Sequence, residues 1–160
     1  MAERPPLTPL RWEDLSSLRH RVFDWPRDEG PSVLVVEYSG HYGHGSSGRG
    51  DATYVVASAT AAWEAWHRDA LILDFTNLSY ACGDEMEWVL GLGWVAHQKC
   101  QRPLALVVGD DCRAALQSLE EGEEPSVLAD DFAAALRLIQ SASQRFERCL
   151  EAWRREHLGG

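Results

Sequence analysis

The sequence contains no extended run of basic residues and no long apolar segment. Its 25 acidic side chains outnumber its 15 lysines and arginines, which gives a formal net charge of -10 at pH 7. The longest basic run is the pair Arg154-Arg155, whereas a protein that binds nucleic acid needs a cationic face for the phosphates. No stretch approaches a membrane span, and the first residues lack the apolar run of a signal peptide. We therefore expect a cytoplasmic protein with no nucleic-acid partner and no membrane partner.

Cysteines are few, and their spacing is irregular. The chain has four, none of them in a Cys-x-x-Cys motif: Cys82, Cys100, Cys112 and Cys149. In a cytoplasmic protein such residues are usually free thiols that are buried as small hydrophobes, so we expect no disulfide framework. His97 and Cys100 have an allowed metal-ligand spacing on one predicted helix, but both fall near its core face. We expect no metal and no cofactor.

The composition is that of a globular protein. The chain has 160 residues, of which 45% are hydrophobic and 25% charged, and this length suits one domain with a substantial core. We expect a single domain over residues 1–160, with its core at about 20–140. Residues 1–10 contain three prolines and are expected to be disordered. A helical extension is expected over residues 141–157.

Apolar runs between turn residues predict the strands. VLVVEY (33–38), ALILDF (70–75) and PLALVV (103–108) are apolar enough for strands covered on both faces, and residues 127–128 suggest a short last strand. Residues 11–24 are ambiguous: the spacing of Trp12, Leu15, Leu18 and Val22 favours a short helix, whereas residues 20–25 favour a strand. Residues 26–31 and 77–83 are predicted turns, and residues 120–125 a solvated loop.

Helical periodicity predicts the segments between these strands. The predicted helices cover residues 51–68 with Asp51 as N-cap, 84–100, a short stretch capped by Asp110 or Asp111 and ending at Leu119, and 130–157. Strands and helices therefore alternate along the chain. This order predicts an α/β fold with a mostly parallel sheet of four to five strands and an extended C-terminal helix.

Four segments follow one another in an order that is typical of a known family. They are VLVVEYSG (33–40), LILDFTNLSY (71–80), RPLALVVGDDCRAALQSL (102–119) and PSVLADDFAAAL (125–136). Their pattern resembles the STAS domain of sulfate transporters and anti-sigma factor antagonists, over about residues 31–140. The resemblance implies a STAS-like fold and a non-enzymatic role in signalling. The implied partner is a serine kinase, an anti-sigma factor or another signalling protein.

The chain departs from the family at its regulatory loop. Antagonists usually carry the sequence DSSG there, and a partner kinase phosphorylates one of the serines. This chain has Cys82-Gly83-Asp84-Glu85, so that Asp84 is equivalent to the phosphorylated residue and the nearest hydroxyl belongs to Ser79. Asp84 either mimics a phosphoserine or, with Glu85 and Glu87, complements the dipole of the predicted helix.

The resemblance implies a partner-binding surface around this loop. Its centre is the loop and helix start at residues 82–87, with the glycine-rich and histidine-rich segment at 40–50 beside it. The expected contact residues are His41, His44, Ser79, Tyr80, Cys82, Gly83, Asp84, Glu85 and Glu87. The helix beyond residue 141 either packs back on the domain or forms a homodimer.

Two other functions remain open. EYSGHYGHG (37–45) resembles the strand end of caspase-like proteases, in which His41 or His44 would activate Cys82 as the nucleophile of a cysteine hydrolase. A small-ligand sensor is the other alternative, because the same end of the fold can hold a pocket.

Two further sequence features bear on binding. Residues 43–48 match the dinucleotide-binding pattern GxGxxG, but the predicted helix starts too late and no acidic residue ends the next strand, so a flexible contact loop is favoured. The seven tryptophans exceed what a small core needs. We expect one or two of those at 63, 66, 88 and 94 to be exposed as interface anchors.

Overall fold

A computed structural model describes residues 8–120 and 125–158 of the chain. The strands are β1 (Arg19–Trp25), β2 (Val33–His41), β3 (Ala70–Ser79), β4 (Trp94–Val95), β5 (Cys100–Gln101), β6 (Leu104–Val108) and β7 (Leu128–Ala129). The helices are α1 (Trp12–Leu15), α2 (Arg49–Trp66), α3 (Glu87–Leu90), α4 (Asp110–Leu119) and α5 (Phe132–Leu158), with a short 3-10 helix at Gly45–Gly48. The expectations for residues 1–7 and 121–124 lie outside the described residues.

The main sheet has five strands in the order β1-β2-β3-β6-β7. β2, β3, β6 and β7 run parallel, and β1 pairs antiparallel with β2 at one edge. The predicted α/β class, the mostly parallel sheet and the long C-terminal helix are therefore confirmed. Both readings of residues 11–24 hold in part, because this stretch contains α1 and the start of β1.

Each face of the sheet carries its own hydrophobic cluster, because side chains alternate along every strand. Leu34, Leu71 and Leu106 lie in the larger cluster, to which α2 and α4 contribute buried residues. Val35 and Ile72 lie in the smaller one, which α5 covers. Of the described helices, each is too short or too polar to cross a membrane.

The predicted helix at 84–100 is wrong. Only Glu87–Leu90 is α-helical, and the antiparallel hairpin of β4 and β5 follows it. Gly93 has a φ of 85° and Lys99 a φ of 53°, which no right-handed helix contains. Met86, Val89 and Leu92 are nevertheless buried, so the apolar positions pack against the core without continuous helix.

Three predicted boundaries also need correction. β3 continues to Ser79, so the turn expected from residue 77 starts later. α2 begins at Arg49, and its N-cap is Gly48 rather than Asp51. The N-cap of α4 is Gly109, not Asp110 or Asp111.

The expectation of four free thiols is wrong for two of them. Cys100 and Cys149 form a disulfide, with Cα atoms 5.9 Å apart, whereas Cys82 and Cys112 are free. The physical reason is the hairpin, which places Cys100 beside α5. It also removes the helix on which His97 and Cys100 would have been neighbours. His97 is exposed and its ring lies 6.0 Å from that of Trp153.

Candidate functional site

Two segments meet at the carboxyl end of the parallel strands. The glycine–histidine loop, residues 41–49, follows β2, and the β3 exit segment, residues 79–87, follows β3. β2 and β3 are neighbours, and His41 pairs with Ser79 in their register. Since the two strands end at the same edge of the sheet, the segments that follow them lie side by side.

Hydrogen bonds from the backbone and from one tyrosine join the two segments. The amide of Tyr42 donates to the carbonyl of Ser79 (2.9 Å), and the amide of Asp84 donates to the carbonyl of Gly45 (3.0 Å). The phenol of Tyr42 donates to the carbonyl of Asp84 (2.8 Å). Arg49 adds an ion pair with Glu85, with Nε 2.7 Å from Oε1. The two segments therefore form one continuous surface.

Glycines allow this close approach. A Cβ on Gly83 would lie 2.5 Å from the carbonyl oxygen of Gly43 and 2.6 Å from Cε1 of Tyr42, and a Cβ on Gly48 would overlap the same ring. A Cβ on Gly43 would lie 2.6 Å from Oγ of Ser47. The glycine–histidine loop is therefore packed around Tyr42 and does not form an open phosphate cradle, although α2 starts directly after the GxGxxG pattern.

The carboxylate of Asp51 fixes the glycine–histidine loop to the start of α2. It is buried in the first turn of α2. Its Oδ2 accepts a hydrogen bond from the amide of Gly43 (2.7 Å), and its Oδ1 accepts one from the hydroxyl of Ser16 (2.5 Å). Sequence reasoning missed this role, as it did that of Tyr42. The available signal for Tyr42 was one aromatic residue within a run of glycines.

The structure brings the predicted contact residues together, at different depths. His41, His44, Cys82, Asp84 and Glu87 are exposed. Ser79, Gly83 and Glu85 are half-buried, and Tyr80 is buried. The Tyr80 ring packs edge-on against Tyr42 at 5.0 Å, so it supports the surface from within.

The acidic residues do not share a helical first turn as predicted. Asp84 and Glu85 lie in a turn, and only Glu87 belongs to α3, which has four residues. Glu85 has a φ of 70°, in the left-handed region that is costly for residues other than glycine, and its side chain is 11% exposed. The backbone of Asp84 is held on both sides while its carboxylate is exposed. A fixed negative charge therefore stands at the surface.

Cys82 and His44 form a thiol–imidazole contact. The Sγ of Cys82 lies 3.6 Å from Nδ1 of His44. The ring of His41 stacks near that of His44, with centroids 6.2 Å apart. In the described part of the chain, no hydrogen bond reaches Nε2 of His44, and no group of three His, Cys, Asp or Glu side chains is arranged to hold a metal. The pair has the two reacting groups of a cysteine hydrolase without a residue that orients the base.

Burial controls the ionisation of the supporting tyrosines. Burial raises the pKa of Tyr42 well above its ordinary value, and the nearby Tyr80, Asp51, Glu85 and Glu87 raise it further. Burial also raises the pKa of Tyr80, with smaller contributions from Cys82 and Glu87. The phenol of Tyr42 therefore keeps its proton at neutral pH, as its donation to the Asp84 carbonyl requires.

Comparison with known proteins gives one kind of match. No protein-family model matches the chain, and no curated protein matches it. Among solved structures, it is similar to an anti-sigma factor antagonist from Mycobacterium paratuberculosis. The TM-score is 0.49 and the sequence identity 18%, over 76% of this chain and 94% of that one.

Proposed function

We propose that the chain is a non-enzymatic regulatory module that binds a protein partner at the carboxyl end of its sheet. The observation that carries the proposal is the joined surface of the glycine–histidine loop and the β3 exit segment. Its backbone groups bond to each other. The side chains of His41, His44, Cys82, Asp84 and Glu87 therefore remain available for a partner.

The proposed partner is a serine kinase, an anti-sigma factor or another signalling protein, as the sequence resemblance implies. Asp84 occupies the position of the regulatory phosphorylated residue and presents a permanent carboxylate. A carboxylate has less charge and fewer acceptor oxygens than a phosphate, so it mimics the phosphorylated state only in part. We propose that the module holds one binding state and does not switch at this residue.

Charge reversal tests the surface. Tagged wild-type protein, Asp84→Lys and Asp28→Lys are used to capture partners from an extract of the source organism, with quantification by mass spectrometry. Asp28 is an exposed acid in the loop before β2, so its variant is a matched control for net charge. We expect Asp84→Lys to recover about tenfold less of a signalling protein than wild type does. Equal recovery by Asp84→Lys would contradict the proposal.

The cysteine hydrolase is a second candidate, and the 3.6 Å contact between Cys82 and His44 is the observation that favours it. An imidazole that activates the thiol would make Cys82 label rapidly near pH 7. Labelling with iodoacetamide is compared in wild type, His44→Ala and Cys82→Ala, with the buried Cys112 as internal reference. A rate that falls at least about tenfold in His44→Ala would favour the hydrolase, and an unchanged rate would favour the binding module.

Four expectations stay predictions: the cytoplasmic location, the single-domain organisation, a homodimer through α5 and a ligand-sensing role. The Cys100–Cys149 disulfide bears on the first, because cytosolic proteins are normally kept reduced. Rapid alkylation of cell extracts followed by mass spectrometry would count the free thiols. Four alkylated cysteines would fit the proposed cytoplasmic location, and two would contradict it.

A further inference from the structure

A groove lined by tryptophans runs between α2, α3 and the β4–β5 hairpin. We call it the aromatic groove. Trp63 is buried at its floor, whereas Trp88 and Trp94 line its sides and are 51% and 56% exposed. The groove encloses about 500 Å³ and begins at Trp88, directly after the β3 exit segment. Two half-exposed indoles beside one groove form an apolar patch that an isolated chain leaves in water.

Trp88 and Trp94 have open ring faces. Within residues 8–120 and 125–158, neither ring stacks on another ring or carries a cation over its face. An indole face attracts cations through its quadrupole, and tryptophan is the strongest aromatic in this respect. The two residues therefore offer both apolar area and cation binding.

The floor of the groove already binds one guanidinium. Cζ of Arg102 lies 3.9 Å from the centroid of the Trp63 ring, and Nη1 of Arg102 lies 2.5 Å from Oε1 of Glu64. Arginine combines stacking on an aromatic face with a hydrogen bond to a carboxylate, which lysine does less well. The internal pair shows which side chain suits this combination of groups.

The surroundings of the groove favour a basic ligand. Asp84 and Glu87 are exposed, and within the described residues neither forms an ion pair. Both lie within four residues of Trp88 in the sequence, next to the start of the groove. Among the acidic and basic residues that line the groove itself, Glu64 and Arg102 pair with each other, and the chain as a whole has a net charge of -10. A cationic segment would therefore be attracted to this side of the molecule before it contacts the tryptophans.

We propose that the aromatic groove binds arginine side chains of a basic segment in the protein partner, by stacking on Trp88 and Trp94. This inference rests on the proposed function and names the chemistry of the partner. The guanidinium contacts the open indole faces, while Asp84 and Glu87 attract the flanking positive charges.

Binding of short peptides tests the proposal. Acetylated tetra-arginine amide is titrated into the full chain, and the tetra-citrulline peptide, nearly the same in shape but uncharged, is titrated separately. Indole N–H shifts in NMR spectra report the contact. We expect tetra-arginine to shift the Trp88 and Trp94 signals, with affinity that falls as salt rises. We expect tetra-citrulline to bind about tenfold more weakly or not at all.

Matched tryptophan variants locate the binding. Trp88→Ala and Trp94→Ala are each expected to weaken tetra-arginine binding about tenfold. Trp66→Ala is the control, because Trp66 is also 51% exposed but does not line the groove. Since all three side chains are exposed, we expect circular dichroism spectra like that of wild type. Equal binding by wild type and Trp88→Ala, or equal binding of the two peptides, would overturn the proposal.

The other outcomes separate this inference from the proposed function. A wild-type chain that dimerises in sedimentation equilibrium, and a Trp88→Ala variant that does not, would show that a second copy occupies the groove. If tetra-arginine fails to bind while Asp84→Lys still abolishes partner capture, the partner chemistry is wrong and the proposed function stands. If tetra-arginine fails to bind and Asp84→Lys captures as much partner as wild type does, both proposals are wrong.

Discussion

The two ends of the parallel strands are held together in different ways. At the amino end, charged side chains form the bonds: Arg68 pairs with Asp24, and the carboxylate of Asp69 accepts hydrogen bonds from the amide and the hydroxyl of Ser32. At the carboxyl end, backbone groups, closely packed glycines and the Tyr42 phenol join the glycine–histidine loop to the β3 exit segment, and the one ion pair between these two segments is that of Arg49 with Glu85. Side chains used for structure are not available for recognition. This difference supports our proposal that a partner binds at the carboxyl end.

The amino end also has the disulfide, which joins the hairpin to α5. Cys149→Ser should destabilise the oxidised protein by about 2–4 kcal/mol, because the bond closes a loop with a sequence separation of 49 and restricts the unfolded chain. Urea unfolding with and without reductant measures this effect. Reductant should destabilise wild type and leave Cys149→Ser unchanged. An equal response of both proteins would contradict a disulfide role in stability.

The carboxyl end should be more sensitive to a single added methyl group. Gly83→Ala is expected to cost about 1–3 kcal/mol in unfolding free energy, because its Cβ would overlap the Gly43 carbonyl and the Tyr42 ring. Gly91→Ala is the matched control. A Cβ there meets its nearest atoms at 3.7 and 3.8 Å, which is ordinary contact. Denaturant unfolding of both variants measures the difference, and equal stabilities would show that the packing around Tyr42 is not close.

The smallest expected effect is that of one hydroxyl. Tyr42→Phe removes the hydrogen bond to the Asp84 carbonyl, so we expect a loss of about 0.5–1.5 kcal/mol at pH 7. The folded state raises the pKa of Tyr42, so the stability linked to its proton is present below pH of about 10 and lost as pH rises above it. Tyr42→Phe should therefore lose less stability than wild type as pH rises above about 10. Equal losses of unfolding free energy in wild type and Tyr42→Phe as pH rises would contradict this account.

The strands and the fold class were predictable because they depend on local pattern. Residues 33–36 and 70–73 are apolar at every position, and such runs suit strands of a sheet that is covered on both faces. The structure extends β2 to His41 and β3 to Ser79, through polar residues that pair only because the neighbouring strand is present. Strand ends therefore depend on tertiary contacts that local pattern does not contain.

The segment at 84–100 shows why periodicity alone failed. Met86, Val89 and Leu92 repeat at a three-residue spacing, and this spacing is met equally by a helix and by a short helix followed by turns. Gly91 and Gly93 were the signals against a continuous helix. The disulfide was not predictable, because it depends on the hairpin that this error concealed.

The candidate site was predictable in its location but not in its construction. The resemblance placed the contact residues after two strands, and parallel neighbours end at the same edge. The roles of Tyr42 and Asp51 depend on contacts with Asp84, Ser16 and Gly43 that no sequence pattern encodes. One or two exposed tryptophans were expected among the four, but Trp66, Trp88 and Trp94 are all exposed, and Trp94 lies in the hairpin rather than on a helix.

The most direct test of the central claim is amide hydrogen exchange on the chain with and without its captured partner. The account predicts slower exchange in the glycine–histidine loop and the β3 exit segment on binding, and unchanged exchange in residues 26–32 at the opposite end of the sheet. Protection confined to residues 26–32, with unchanged exchange at 41–49 and 79–87, would contradict it.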